Sequence, residues 1–122
     1  MKMKKSEMRK LMVKERTNNK AIKEMKEITR YLDEYELNVS CFTSIGFENE
    51  IVTDLEITVI DREENEYHTI IIATIEITDY EDSEFWDLVE MTREVFKTMK
   101  KNLVKDLESI GYEITSTEDY NQ

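Results

Sequence analysis

Residues 39–78 read VSCFTSIGFENEIVTDLEITVIDREENEYHTIIIATIEIT, and this stretch decides the fold. Val39, Cys41, Thr43 and Ile45 alternate with Ser40, Phe42 and Ser44. Beyond Gly46-Phe47-Glu48-Asn49, Ile51, Thr53, Leu55, Ile57 and Val59 alternate with Val52, Asp54, Glu56, Thr58 and Ile60. Beyond the turn Asp61 to Asn65, Tyr67, Thr69, Ile71, Ala73, Ile75 and Ile77 alternate with His68, Ile70, Ile72, Thr74 and Glu76. A period of two places successive side chains on opposite faces of a strand. Three such runs joined by short turns predict a three-stranded antiparallel meander. One face is steadily apolar. The other mixes Asp54 and Glu56 with Phe42, Ile70 and Ile72, which predicts a face that is covered in part, for instance by a second copy.

The period changes to that of a helix on both sides of the meander. Over residues 4–36, Ala21, Met25, Ile28, Leu32 and Tyr35 fall in one 4-3-4-3 stripe, widened by Ile22, with a second patch at Met8, Leu11 and Met12. The apolar-free stretch 14–20 separates them, with Thr17, Asn18 or Asn19 able to N-cap a second helix. This predicts one long helix with a polar waist or two helices hinged there. After the meander, Ser83 reads as an N-cap, with Glu84 and Asp87 in the first turn of a helix over about 84–110. Phe85, Leu88, Val89, Phe96, Met99, Leu103, Leu107 and Ile110 form its apolar face, and Gly111 follows as a C′ residue. At about 1.5 Å per residue it spans roughly 40 Å and overhangs a typical strand. Tyr112-Glu113-Ile114 suits a short edge strand. The predicted fold class is α+β, of order α-β-β-β-α. A long N-terminal and a long C-terminal helix cover the apolar face of the meander. All 122 residues form one domain, with a basic helical arm over about 1–18 and a flexible acidic tail over about 116–122.

Charge divides the chain. The net charge is −11, but residues 1–30 carry 11 Lys or Arg against 4 Asp or Glu. Residues 31–90 carry 18 Asp or Glu against Arg62 alone. Such asymmetry points to a partner as well as to solubility. With Cys41 the only cysteine, no internal disulfide forms, which suits a reducing, cytoplasmic setting. The apolar run Leu11–Val13 is too short for a secretory signal core, and no window reaches the roughly 18 apolar residues of a membrane span.

Catalytic patterns are missing from this reading. His68 has no second imidazole or thiolate in an obvious partnership, and reads as a sheet-surface histidine opposite the apolar face. Cys41 would need His68 as its base, but its phase among Val39 and Ile45 makes it a small core residue. Asp61-Arg62-Glu63-Glu64-Asn65 has oxygens at positions 1, 3 and 5, yet Glu66 and Ile72 stand where a calcium loop needs Gly and Glu. No metal, cofactor or enzymatic activity is expected.

The remaining candidates are surfaces. Asp54, Glu56, Asp61, Glu63, Glu64, Glu66, Asp79, Glu81 and Asp82 form an acidic partner-binding set. Acids at i and i+2 on a strand lie roughly 6.7 Å apart, close to phosphate spacing, so the row fits a basic, nucleic-acid-binding surface. Phe85 and Trp86 are the candidate interface anchors. Lys4, Lys5, Arg9, Lys10, Lys14 and Arg16 form the basic arm. The element order resembles that of double-stranded-RNA-binding domains, which implies basic RNA-binding surfaces. The acidic turns here oppose that function. It is also similar to the opening order of the small acidic chaperones of bacterial secretion systems, whose further strands and helix the chain lacks. Together these features predict a small acidic inhibitor or adaptor, of phage or mobile-element type, that binds a basic nucleic-acid-handling protein. The alternatives are a nucleic-acid-associated oligomer using the basic arm, or a virion or assembly subunit. A homodimer is the expected state, with no membrane contact.

Overall fold

The computed structural model describes residues 10–15 and 18–121. Its elements in chain order are β1 (Lys10–Glu15), α1 (Asn18–Thr29), β2 (Tyr35–Ile45), β3 (Ile51–Asp61), β4 (Glu66–Thr78), α2 (Phe85–Ser109) and β5 (Tyr120–Asn121). The strands form one mixed sheet in the order β1-β4-β3-β2-β5. The expected meander is its centre, with β2, β3 and β4 antiparallel in sequence. The fold is nevertheless not a three-stranded meander between two long helices, because a strand is added at each edge and α1 is only 12 residues long.

The first correction concerns residues 10–15, predicted to be helical and found in β1. Leu11 and Val13 also alternate with period two, and in register they stand opposite Ile77 and Ile75 of β4. Pairing there satisfies backbone groups along Ala73–Thr78 that an unpaired edge would leave open. Lys10 and Lys14 therefore belong to a strand and not to a helical arm. Lys4, Lys5, Arg9 and Arg16 lie outside the described residues. α1 also ends earlier than the stripe suggests. Arg30 N–H bonds Lys26 O at 3.0 Å and Leu32 N–H bonds Thr29 O at 3.1 Å, and the chain enters β2 at Tyr35, opposite Asp61.

A β-bulge in β4 provides the second correction. Leu55 pairs with Ala73 but Glu56 pairs with Ile71, so Ile72 is an extra residue and the phase of the strand reverses. Ile70 then stands opposite Ile57 in the core, while Tyr67, Thr69 and Ile71 turn to the other face. His68 stands opposite Val59 on the core face, not opposite it as its sequence phase indicated.

Both helices lie on one face of the sheet. The core is one cluster: Leu37, Val39 and Cys41 from β2, Ile51, Leu55, Ile57 and Val59 from β3, and Ile70, Ile72, Ala73, Ile75 and Ile77 from β4. Ala21 and Met25 of α1 close it at one side, and Leu88, Val89, Phe96, Leu103 and Leu107 of α2 at the other. One polar string crosses it. Thr92 Oγ1 donates to Val89 O at 2.8 Å, so Thr53 must donate to Thr92 (2.8 Å) and Thr43 to Thr53 (3.1 Å). Every buried hydroxyl in the string thereby spends its proton on a neighbour, which is how such groups are accommodated in a core.

The ends of α2 follow from local chemistry. Ser83, the expected N-cap, is not the cap. A short 3₁₀ turn, Asp82–Glu84, precedes the helix, with Glu81 and Glu84 in a reciprocal capping box. At the other end Gly111 has φ +99. Tyr112 N–H bonds Leu107 O at 3.1 Å and Gly111 N–H bonds Glu108 O at 3.0 Å, the pattern of a Schellman motif.

The chain after α2 is held along the free edge of β2. Thr115 N–H bonds Leu37 O at 2.8 Å and Val39 N–H bonds Ser116 O at 3.0 Å. Cys41 N–H donates to Asp119 Oδ1 at 2.9 Å. Tyr120 and Asn121 then pair in parallel with Phe42 and Thr43. Residues 116–121, read from sequence as a loose tail, thus supply partners to successive odd-numbered residues of β2, whose backbone groups point away from β3.

Candidate functional site

With both helices on one face, the opposite face of the sheet has no helical cover among the described residues. Its centre is polar. Asn38 stands opposite Thr58, Ser40 opposite Glu56 and Phe42 opposite Asp54. Tyr120 reaches across β2 onto this face, with its ring 4.8 Å from that of Phe42, edge to face, and its hydroxyl donating to Glu56 Oε1 at 2.8 Å. Asp54 Oδ1 accepts from Thr74 Oγ1 at 2.7 Å. Beneath the Tyr120 ring, Ser40, Glu56 and Thr58 are each buried. Asn38 Oδ1 is buried and has no hydrogen-bond partner, whereas the Ser40 and Thr58 hydroxyls lie beside the Tyr120 hydroxyl and interact with it.

This environment changes the chemistry of Glu56. Burial raises its pKa, the Tyr120 hydroxyl opposes the rise, and the neighbouring Asp54 charge adds to it. Tyr120 is raised in turn, first by burial and then by its bond to Glu56. At the β2 edge, burial pushes Asp119 up. The Lys100 ammonium at 2.7 Å and the Cys41 N–H outweigh it, so the carboxyl lies below its ordinary value. Cys41 is pushed up to about 12 by burial and by Asp119. Its thiol is protonated at neutral pH and is not a nucleophile. Cys41 stands opposite Leu55 and His68 opposite Val59, four residues or about 13 Å apart along β3, so the two do not form a nucleophile–base pair.

The acidic set from the sequence divides into three places. Asp54 and Glu56 are on the uncovered face. Asp61, Glu63, Glu64 and Glu66 gather at the β3–β4 turn, where Asp61 is buried and accepts the N–H groups of Glu63 (3.0 Å) and Glu64 (3.4 Å). Its carboxylate shapes the turn. Asp79, Glu81 and Asp82 lie at the opposite end, after β4. The ends are separated by the length of β3, 11 residues or about 33 Å. The row is therefore interrupted: Glu56 is tied to Tyr120, and the turn acids do not continue it.

At that second end the structure brings together what the sequence keeps apart. Phe85 is half-buried, with its ring 5.0 Å from Trp86 at 88° and 6.2 Å from Tyr80. Trp86 is exposed, and so are Ile45 at the end of β2 and Phe47 of the β2–β3 turn. Tyr80 O–H donates to Asn49 O, tying that turn to the start of α2. Sequence reading assigned Phe47 to a turn and missed it. The signal was there, since a bare phenylalanine between Gly46 and Glu48 has no core to enter. It also missed Tyr120 and Lys97, and it read Lys100, Lys101 and Lys105 only as cations suited to the late part of α2, where the four lysines line a groove of about 440 Å³ beside the tail.

Among the described residues no group of three or more His, Cys, Asp or Glu is placed to hold a metal ion, and no helix is long and apolar enough to cross a membrane. No protein-family model, curated protein or solved structure matches the chain.

Proposed function

We propose that this chain is a non-enzymatic acidic interaction protein, an inhibitor or adaptor that docks on the basic surface of a nucleic-acid-handling protein. The observation that carries this reading is the sheet face left without a helix. It offers Asp54 and Glu76 beside Phe42, Val52 and Ile71, in the segment whose 18 acids face one arginine. Apolar contact supplies affinity, and the carboxylates supply steering and selection against acidic partners. The buried, unpartnered Oδ1 of Asn38 gives a partner's donor something to satisfy. Because Glu56 interrupts the acidic row, scattered carboxylates on a flat sheet support this docking better than a phosphate-like ladder does.

The test is recovery from host lysate of a basic, nucleic-acid-handling protein that elutes with salt. The comparison is a variant carrying Asp54→Lys, Glu63→Lys, Glu64→Lys and Glu76→Lys. Equal recovery by the two refutes the reading.

A second reading rests on the α2 stripe. Lys97, Lys101 and Lys105 recur every four residues, about 6 Å apart along the helix, and could meet the acidic face of another copy or nucleic acid. The first predicts salt-sensitive assemblies by sedimentation, and the second predicts retardation of DNA or RNA at low salt.

A further inference from the structure

We infer that the aromatic end of the sheet is the anchor pocket of the docking surface. It receives one bulky apolar side chain, flanked by lysines or arginines, from an extended segment of a partner protein. This rests on the reading above as an acidic docking protein and assigns where and by what chemistry the partner is gripped.

Three observations carry it. The first is exposure: Phe47 is 86%, Trp86 69% and Ile45 46% accessible. Isolated apolar residues on a surface need no explanation, but a group of large ones marks an interaction site. Trp and Phe also match the composition of interface cores. The second is shape. Ile45, Asn49, Tyr80, Asp82, Phe85 and Trp86 line a cleft of about 350 Å³, at the lower end of the roughly 300–1,000 Å³ of ligand pockets, where a side chain or two fits. Phe85 is locked edge to face between Trp86 and the core, so the cleft has a rigid floor. The third is charge. Residues 44–55 and 78–92 surround this end and contain nine Asp or Glu with no Lys or Arg, and the cations at its borders are Lys10, opposite Thr78, and Arg93, bonded to Asn121. An acidic or neutral segment gains nothing from such a rim. A cationic one gains at every flank, and its ammonium groups can also sit on the faces of Trp86 and Phe47. Two copies do not meet cleft to cleft, since their acidic rims would be pressed together.

The geometry also suits a clamp. Glu48, Asn49 and Asp79 all hold left-handed backbone, with φ of 57, 61 and 56. Asparagine and aspartate take such backbone readily, but at Glu48 it costs energy, and costly backbone concentrates at ligand clamps.

Trp86 is the only tryptophan, so the full chain reports its own occupancy by fluorescence. It is titrated at low salt with three synthetic peptides: Phe between two runs of three Lys, Ser between the same runs, and Phe between two runs of three Glu. The Lys–Phe peptide is expected to shift the Trp86 emission and to bind at least ten-fold more tightly than the Lys–Ser peptide, with the Glu–Phe peptide silent. Phe47→Ser, at an exposed position that leaves the fold intact, is expected to weaken the Lys–Phe peptide about ten-fold while the melting temperature stays unchanged. Equal binding of the Lys–Phe and Lys–Ser peptides overturns the anchor and leaves acidic docking standing. Equal binding of the Lys–Phe and Glu–Phe peptides overturns the cationic partner. No binding of any peptide overturns this inference and the docking reading together. A dimer by sedimentation in which Trp86 is shielded from acrylamide assigns the cleft to a second copy and overturns it as well.

Discussion

Replacing Asp119 by alanine removes the joint that holds the chain after α2 against the sheet. Asp119 Oδ1 accepts the Cys41 N–H at 2.9 Å and the Lys100 ammonium at 2.7 Å. Lys100 also donates to Thr117 O, and its side chain is only 16% exposed. The substitution therefore strips a charge-assisted bond, worth about 1.5–3 kcal/mol, and orphans an N–H whose loss costs about 1–3 kcal/mol. Water replaces part of both at this half-open edge, so the expected cost is about 2 kcal/mol by urea denaturation, or about 6–10 °C in Tm for a domain of this size. The sole cysteine gives a local readout. Cys41 is 1% exposed beside Asp119, and losing that carboxylate both opens the edge and lowers the thiol pKa. Labelling by a thiol reagent should therefore accelerate several-fold. Asp119→Asn keeps an acceptor for Cys41 and should fall between the two. The pH dependence follows from Asp119 being depressed below its ordinary 3.8. A depressed carboxyl contributes stability that is present above that value and is lost as pH falls through the folded pKa. The gap between wild type and Asp119→Ala should stay constant at neutral pH and close only below about pH 4. A cost under about 0.5 kcal/mol with unchanged Cys41 labelling would refute the latch, since two lost hydrogen bonds predict more.

Three further perturbations test other parts of the structure. Glu56 is raised chiefly by burial, so its ionisation opposes folding. Glu56→Gln should increase stability at pH 7, and the gain should vanish as pH falls below the ordinary glutamate value of 4.5, as read by denaturation across pH. Phe96 is fully buried under α2, and Phe96→Ala should cost about 3–5 kcal/mol in chemical unfolding. Gly111→Ala meets no atom within 4 Å but must hold φ +99. A loss of about 1 kcal/mol in thermal unfolding would be purely conformational, and a stabilised variant would contradict the left-handed cap.

Local signals account for what the sequence made legible. β2, β3, α2 and Gly111 are written in residues a few positions apart, through a period of two, a period near 3.6 and a missing Cβ. The misreadings arise where a distant partner decides. Leu11 and Val13 suit a strand as well as a helix, and the open edge of β4, some 60 residues away, selects the strand. The phase reversal at Ile72 cannot be seen in a run of three isoleucines, because either parity looks apolar. Only the pairing with Leu55 and Glu56 separates them. Tyr120 sits in a polar tail that no propensity would call a strand, and it is placed by Asp119, Glu56 and Phe42. The aromatic cleft joins residue 45 to residue 86, and each half looked ordinary alone.

These long-range choices bear on function because several of them act against stability. A glutamate at the centre of a sheet face is costly unless its charge is fully compensated, and Glu56 receives one tyrosine hydroxyl. The nearby Asn38 Oδ1 has no partner. Among the described residues, Glu48 holds left-handed backbone beside the aromatic cleft without the tolerance that asparagine and aspartate have for it. Trp86 and Phe47 stand in water while the core beneath is closed without them. A sequence selected for folding alone would place valine or threonine at position 56, glycine at position 48 and polar residues at 47 and 86, each of them locally consistent with the element it occupies. These departures lie on the uncovered face and at its cleft end, whereas the threonine hydroxyls buried beneath the helices are all satisfied. Contact with another molecule is what would offset each departure at once, by supplying a donor to the orphaned Asn38 oxygen, cations to the carboxylates and cover to the rings.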